Sequence, residues 1–253
     1  TDFMPRGIYT RSEKRGNGNG AEHEPEGHVT DIRPTGNHAE HDIVMGVPYQ
    51  ARVAIVGTYP LIFHAWSVEA VAEKAGSAKG SKAKKTDNVE SYVHRIPEGE
   101  KHAGCIALRS DYFHNSIIGA AKFLQDPRSP RKSAVDLFKA ALVMSPEYTP
   151  VLSAKDGREP RPVKTWDYLD QRRVVVQRNG ITRQRPAFLK GWKVEFTIEC
   201  TLPQYVGADV LSTTITNAGR FVGMAEIRPS YGRYRLDRFE VVKLDGAIPP
   251  SAR

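Results

Sequence analysis

The stretch WKVEFTIEC (192–200) decides the fold, together with the segment 204–218 and the stretch AGRFVGMAEIRPSYGRYRLDRF (218–239) that follow it. Apolar and polar side chains alternate in the first stretch, which is typical of a half-buried strand. Segment 204–218 repeats apolar residues at helical spacing, and Gly219 suits the position just after a helix. The last stretch predicts a strand or hairpin over 221–242. The chain therefore closes with a strand–helix–strand unit.

The preceding part of the chain shows the same mixture of short strands and helices. Strands are expected at 49–57, 105–108 and around 150–152, and helices at 117–124 and 133–144, with a turn over 109–116. Together with the closing unit, these elements predict an α+β fold. Helices would cover one face of an antiparallel sheet with a long polar insertion, as in ferredoxin-like and RRM-like folds.

An arginine-rich hairpin is expected between residues 172 and 185. The strands 172–178 and 181–185 flank Asn179-Gly180, a dipeptide that favours a type I′ turn because both central residues need a positive φ. The segment carries five arginines and no acidic residue over 171–185. A structural hairpin that is merely decorated with charge is the alternative.

The composition predicts one folded core with flexible segments around it. Residues 1–45, rich in glycine, proline and charge, are expected to form a flexible arm. The core would span 46–244, with a short helix at 66–75 and a polar insertion over about 73–101. Residues 245–253 would form a C-terminal tail.

Several classes of protein do not fit the sequence. No apolar run approaches the roughly 20 residues of a bilayer-spanning helix, and the first residues lack the apolar segment of a secretory signal. Cys105 and Cys200 lie in strand-like contexts without a CxxC motif, which argues against zinc and disulfides. No Walker-type loop is present, which disfavours an NTP-driven motor. We therefore expect a cytoplasmic protein without membrane, metal or cofactor.

The formal charge of +8 is concentrated in three basic blocks. They are a lysine loop within 73–86, the arginine hairpin, and the segment 220–238. Arginine binds phosphate through a planar fork and stacks on bases, so these blocks favour a nucleic-acid partner. A solvated basic face without a partner is the alternative. The candidate nucleic-acid-binding residues are Lys79, Lys82, Lys84, Lys85, Arg172, Arg173, Arg178, Arg183, Arg185, Arg228, Tyr231, Gly232, Arg233, Tyr234 and Arg235.

A family resemblance rests mainly on AGRFVGMAEIRPSYGRYRLDRFEV (218–241). This stretch resembles the glycine-rich loop and closing strand of the RAMP superfamily, RRM-like proteins that form CRISPR effector backbones and process guide RNA. CIALRSDYFHNSIIGAAKFL (105–124) is similar to their short strand, entry loop and small-residue helix. VAIVGTYPLIFHAWS (53–67) resembles the first strand of a phage-encoded relative. Met224-Ala225 departs from the pattern, since the family often has another glycine there.

The resemblance implies a non-catalytic subunit that oligomerises along single-stranded nucleic acid, with RNA favoured over DNA. It would act as a homo-oligomer or within a multisubunit ribonucleoprotein of a bacterial or phage-infected cell. Arginines 228, 233 and 235 would neutralise phosphates, and Tyr231 or Tyr234 would stack a base. Ordinary sheet packing is the alternative for these tyrosines. Gly232 would let the backbone approach a phosphate or would need a positive φ.

Two other functions are compatible with the residues. The first is a metal-independent endoribonuclease, because some RAMP proteins cut RNA with a histidine, and His64 and His114 lie at predicted element ends. A structural role is the alternative for each histidine. The second is a phage single-strand-binding or assembly protein. On balance the sequence favours a binding protein over an enzyme.

Overall fold

The computed structural model describes residues 46–65, 88–154, 159–176 and 179–243. These residues form an α+β fold in which the strand pairings are antiparallel, so the predicted fold class is confirmed at this level. Several predicted segments lie outside the described residues: the arm 1–45, the helix 66–75, the lysine loop within 73–86 and the tail 245–253.

The described chain contains short and long strands around three α-helices. The helices are α1 (Ser110–Ala121), α2 (Val135–Ala141) and α3 (Ala208–Asn217), with a 3₁₀ turn at Val89–Tyr92 and a π-helical turn at Ala218–Val222. The strands are β1 (Tyr49–Gly57), β2 (Leu61–Ile62), β3 (His94–Arg95), β4 (Ile106–Arg109), β5 (Gln125–Asp126), β6 (Ser129–Ser133), β7 (Leu142–Ser145), β8 (Tyr148–Pro150), β9 (Leu152–Ser153), β10 (Arg161–Pro162), β11 (Tyr168–Val176), β12 (Asn179–Phe188), β13 (Lys193–Cys200) and β14 (Tyr234–Lys243).

The largest sheet has the order β10-β9-β13-β1-β14, and β7 also pairs with β13. Val53 of β1 lies opposite Phe196 of β13 and Phe239 of β14. Alternate residues of β13 are buried, so one face of this sheet supplies the core. Phe113 of α1 stacks on Phe196, with 4.1 Å between ring centroids. Helix α1 therefore packs against the inner face of this sheet.

The opposite face of this sheet carries balanced charges. Arg238 of β14 lies 3.4 Å from Glu195 and 3.9 Å from Glu240. Arg52 is exposed on the same face, opposite Glu240 in the register. Positive and negative side chains alternate across neighbouring strands here, which is a common way to solvate a sheet face. This face therefore lacks the positive excess expected of a phosphate-binding surface.

The predicted boundaries of the first two helices need correction. The residues predicted as a turn over 109–116 begin α1 at Ser110, because Phe113, Ile117 and Ala120 form one buried helical face. The helix predicted over 133–144 ends at Ala141. The next four residues form β7, since pairing with β13 outweighs their helical pattern.

The predicted end of the last helix is also wrong. After α3, the chain continues through the π-helical turn, and Gly223 rather than Gly219 follows the helix with a φ of +72°. The missing side chain at Gly219 instead lets the ring and carbonyl of Tyr234 lie against the helix. The strand predicted over 221–242 therefore starts only at Tyr234, and a loop precedes it.

The predicted hairpin is confirmed, but its turn is not at Asn179-Gly180. Val176 pairs with Asn179 and Val175 with Gly180, so the connection falls at residues 177–178, outside the described residues. The far end of the hairpin fixes this register, because the Asp167 N–H donates to the Ala187 carbonyl and Phe188 pairs with the fully buried Leu61 of β2. As a result, Asp170 lies opposite Arg185 and Arg172 opposite Arg183.

The polar insertion predicted over 73–101 overlaps an ordered part of the fold. Residues 89–92 form the 3₁₀ turn, and β3 pairs with β4. Tyr92 and Ile96 are buried. The predicted insertion therefore includes residues that contribute to the core, because a few apolar side chains stand within its polar composition.

Candidate nucleic-acid interface

Segment 60–64 connects the arginine hairpin to the loop that precedes β14. On one side, Ile62 pairs with Ala187 of β12, and the Phe63 N–H donates to the carbonyl of Pro186 at 2.9 Å. On the other side, residues of the loop donate backbone hydrogen bonds to this segment: Glu226 to Ile62 at 3.1 Å and Gly232 to Pro60 at 2.8 Å. Two of the three basic blocks thus meet on a common support.

The loop of residues 223–233, here called the glycine loop, is closed by its own backbone. The Met224 N–H donates to the carbonyl of Gly232 at 3.0 Å. Gly232 has a φ of +67°, and a Cβ there would overlap the Met224 carbonyl. Positive φ is therefore the confirmed alternative for Gly232, whereas the expected room for a phosphate is filled by the protein's own backbone.

Tyr231 joins the glycine loop to the hairpin. The guanidinium of Arg172 lies 4.2 Å from the Tyr231 ring centroid and also donates to the tyrosine hydroxyl. Arg172 also donates hydrogen bonds to both carboxylate oxygens of Asp170 at 2.7 to 2.9 Å. These bonds raise the pKa of the Arg172 guanidinium. An aromatic ring and a guanidinium are thereby held together at the surface, and both groups can stack on nucleobases.

A cleft of about 100 Å³ lies between α1 and the glycine loop. Asp111, Tyr112 and Asn115 line it from α1, and Ala225 and Arg228 line it from the loop. Burial raises the pKa of Tyr112 to about 12. The Oδ1 atom of Asp111 is buried without a hydrogen-bond partner. The cleft therefore offers a phenol, a carboxylate and an amide beside the exposed Arg228.

His64 forms a pair with Glu226 beside this loop. Nδ1 of His64 lies 3.2 Å from Oε1 of Glu226, and this hydrogen bond lowers the pKa of the glutamate. The ring of Tyr92 contacts His64 with 4.6 Å between centroids, and the Tyr92 hydroxyl accepts from Arg183 at 3.1 Å. A carboxylate on one imidazole nitrogen fixes the tautomer and leaves the other nitrogen as an acceptor.

Arg185 is the most buried of the described candidate arginines, with 7% of its surface exposed. Its Nε and Nη1 atoms are buried and have no hydrogen-bond partner. Its cross-strand neighbour Asp170 is engaged by Arg172. The charge of Arg185 also lowers the pKa of Glu226, although the hydrogen bond from His64 contributes more.

The other candidates are dispersed. Tyr234 is buried and bonds to Ser116 at 3.0 Å, so the packing alternative holds for this tyrosine and base stacking does not. Arg235 pairs with Asp237 at 2.8 Å. Arg173 is exposed next to Arg172 on β11, and its side chain points to the opposite face of the hairpin.

Two further candidate site residues, Arg233 and His114, lie within the described residues, and the remaining candidates do not. Arg233 donates to the Pro229 carbonyl at 2.6 Å and lies over the Tyr59 ring, at 5.6 Å from its centroid. His114 lies on α1, where burial and, to a lesser degree, Lys139 of α2 lower its pKa. The following candidates lie outside the described residues: Lys79, Lys82, Lys84, Lys85 and Arg178.

Sequence reasoning alone misses the partners of these residues. Glu226 lies within the glycine loop without a motif of its own, and Tyr92 falls in the stretch predicted as an insertion. Asp170 stands just before the predicted start of the hairpin. A search for lone carboxylates and tyrosines beside basic residues could have found all three.

Comparison with protein-family models gives no match, and neither does comparison with curated proteins. Within the described ranges, no helix combines the length and apolar character needed to cross a membrane. The described residues also contain no group of three or more histidine, cysteine, aspartate or glutamate side chains that could hold a metal ion.

Proposed function

We propose that this chain is a non-catalytic subunit that binds single-stranded nucleic acid, RNA in preference to DNA, and oligomerises along it in the cytoplasm. The observation that carries the proposal is the stack of Arg172 on Tyr231, which joins two basic segments that are distant in sequence. Basic grooves with stacking aromatic rings are the usual means of holding single strands. Oligomerisation and the preference for RNA rest on the resemblance of residues 218–241 to RAMP proteins.

The strand order supports a ferredoxin-like, RRM-like arrangement within this proposal. Strands β7, β13, β1 and β14 are neighbours in that order, and all three pairings are antiparallel. Helix α1 lies between β1 and β7 along the chain, and α3 lies between β13 and β14. This is a βαββαβ sequence of elements with a central first strand, as in ferredoxin-like folds.

We propose that the bound nucleic-acid strand runs over the glycine loop and the arginine hairpin. It would not cross the outer face of the main sheet. RRM domains stack bases on aromatic residues of their sheet. Here that face carries Arg52, Arg238, Glu195 and Glu240, whose charges balance. The exposed Arg228 and the Tyr59-stacked Arg233 instead lie on the loop that holds Tyr231.

A binding titration tests the proposal. The purified protein is first examined for copurifying nucleic acid through its absorbance ratio at 260 and 280 nm. Internally labelled single-stranded RNA, single-stranded DNA and duplexes of one sequence are then titrated at several salt concentrations. We expect RNA to bind most tightly, with a log–log salt slope of about −0.7 per neutralised phosphate. Salt-independent binding or no binding would contradict the proposal.

Replacing Tyr231 by alanine is expected to weaken RNA binding by about 1–3 kcal/mol, the usual contribution of one stacked base. Tyr231→Phe keeps the ring on Arg172 and loses only the hydroxyl contact. Its affinity should therefore remain within about 1 kcal/mol of wild type. Fluorescence anisotropy measures both variants. Unchanged affinity in Tyr231→Ala would move the binding surface away from this ring.

One observation favours a second function, a metal-independent endoribonuclease. The His64–Glu226 pair has the geometry of an oriented general base, with the imidazole 25% exposed. A base at His64 would remove the proton of a 2′-hydroxyl as its oxygen attacks the adjacent phosphate. The bond between phosphorus and the 5′-oxygen of the next nucleotide then breaks, and this leaving oxygen takes up a proton from solvent.

His64→Ala is expected to lower RNA cleavage in EDTA by about 10²- to 10⁴-fold, the range for loss of a general base. His114→Ala is the matched control and should cleave like wild type, because its electrostatic neighbour is Lys139 rather than the Glu226 cluster. Denaturing gels of labelled RNA measure the products. Intact RNA after long incubation with wild-type protein would contradict the nuclease and leave the binding proposal standing.

A further inference from the structure

Arg185 is a buried cation that the described protein leaves incompletely paired. Only 7% of its surface is exposed, and neither Nε nor Nη1 has a hydrogen-bond partner. Native structures pair nearly all buried polar atoms, and a guanidinium with unpaired nitrogens is costly in a low-dielectric setting. A buried guanidinium with two unsatisfied nitrogens calls for an anionic partner from outside the chain.

The carboxylates nearby are already engaged. Asp170, which lies opposite Arg185 in the hairpin, accepts hydrogen bonds from Arg172 on both oxygens. Glu226 is hydrogen-bonded to His64, and it makes no hydrogen bond with Nε or Nη1 of Arg185. Among the described side chains, Arg172, Arg183 and Arg185 share this hairpin face with Asp170. Neither Asp170 nor Glu226 therefore supplies a hydrogen bond to Nε or Nη1 of Arg185.

We infer that Arg185 marks an enclosed anion site that binds the terminal phosphate of a nucleic-acid strand. The inference rests on the proposed function and extends it from the strand to its end. An internal phosphodiester has sugars on both sides and needs an open groove, whereas a terminal phosphate can enter an enclosed site. A terminal phosphomonoester also carries about 1.5 to 2 negative charges near neutral pH, against one for a diester.

The neighbouring groups suit a phosphomonoester. His64 lies beside the site, and the side chain of Arg183 lies on the same face of the hairpin. Tyr231 and Arg172 lie on the same hairpin side, where the terminal base could stack. The terminal phosphate and the first base would thus be held by residues of the same two segments.

The first experiment compares strand ends. An internally labelled single-stranded RNA is prepared with hydroxyls at both ends, with a 5′-phosphate, or with a 3′-phosphate. We expect one of the phosphorylated forms to bind roughly 10- to 100-fold more tightly, as for hydrogen bonds to a charged group. Equal affinity for all three RNAs overturns this inference and leaves the proposed function in place. If none of them binds, the proposed function is overturned as well.

The second experiment uses inorganic phosphate and the variant Arg185→Met. Phosphate should raise the melting temperature of wild type more than an equal ionic strength of chloride, because it binds the folded state. Arg185→Met should lose this gain and the preference for a phosphorylated end, while melting near the wild-type temperature without phosphate. Arg173→Met, an exposed change on the opposite hairpin face, is the matched control and should keep both properties.

The melting temperature without phosphate separates a ligand site from an internal ion pair. If Arg185 stabilised the fold through its own carboxylate neighbours, Arg185→Met would melt far below wild type even without phosphate. That result would overturn the inference. A preserved melting temperature with loss of end selectivity supports it.

Discussion

Replacing Gly232 by valine is expected to prevent stable folding, with a loss of more than about 4 kcal/mol in the free energy of unfolding. A Cβ at this position would overlap the carbonyl of Met224, and its φ of +67° is unfavourable for a β-branched residue. The same residue holds two backbone hydrogen bonds, one with Pro60 and one with Met224. Urea unfolding followed by circular dichroism measures the effect.

Gly191→Val is the matched control for this substitution. Gly191 also has a positive φ, of +98°, but beyond its chain neighbours no heavy atom lies within 4 Å of the place a Cβ would take. We expect it to lose only the cost of the unfavourable backbone conformation, about 1–3 kcal/mol. Equal losses in the two variants would show that the Met224 carbonyl does not approach Gly232.

The largest expected effect on binding comes from reversing two charges on the glycine loop. Arg228→Glu combined with Arg233→Glu should weaken RNA binding at least about 100-fold, since each loses a charged hydrogen bond to phosphate. The log–log salt slope should also become less steep by about 1.4, because each of the two lost phosphate contacts contributes about 0.7. Anisotropy titrations at several salt concentrations measure both quantities.

The control for this pair carries the same change in net charge on another face. Arg52→Glu combined with Arg238→Glu alters the balanced outer face of the sheet. If binding depends on local phosphate contacts, this control should lose far less affinity and keep the wild-type salt slope. A similar loss in both double variants would indicate that only the overall charge of the protein matters.

Much of the secondary structure follows from local pattern. Alternation of apolar residues correctly predicts β1 and β13, and the hairpin is recognisable from two β-prone runs around a turn signal. The turn itself is displaced, because the contacts of Asp167 with Ala187 and of Phe188 with Leu61 fix the register from the opposite end. Similarly, most of β7 continues a helical pattern in the sequence, but it forms a strand because it pairs with β13. Long-range pairing decides these positions, and a local pattern contains no information about it.

The residue types of the candidate site were predictable, but their arrangement was not. The sequence identifies Tyr231 and Tyr234 as equivalent stacking candidates, because both stand beside arginines in one loop. The structure separates them: Tyr231 lies on Arg172, and Tyr234 is in the core. Likewise, the sequence does not distinguish the five arginines of the hairpin from one another. Only the structure shows that Arg185 is buried.

The order of strands in the main sheet has a consequence for synthesis of the protein. Strand β1 is the first strand of the described chain, yet both of its neighbours, β13 and β14, come from the last part of it. A nascent chain therefore carries an apolar strand with two unsatisfied edges until most of the remaining sequence has left the ribosome. Such non-local pairing slows folding and prolongs exposure to aggregation. Chaperone dependence during translation is the expected result.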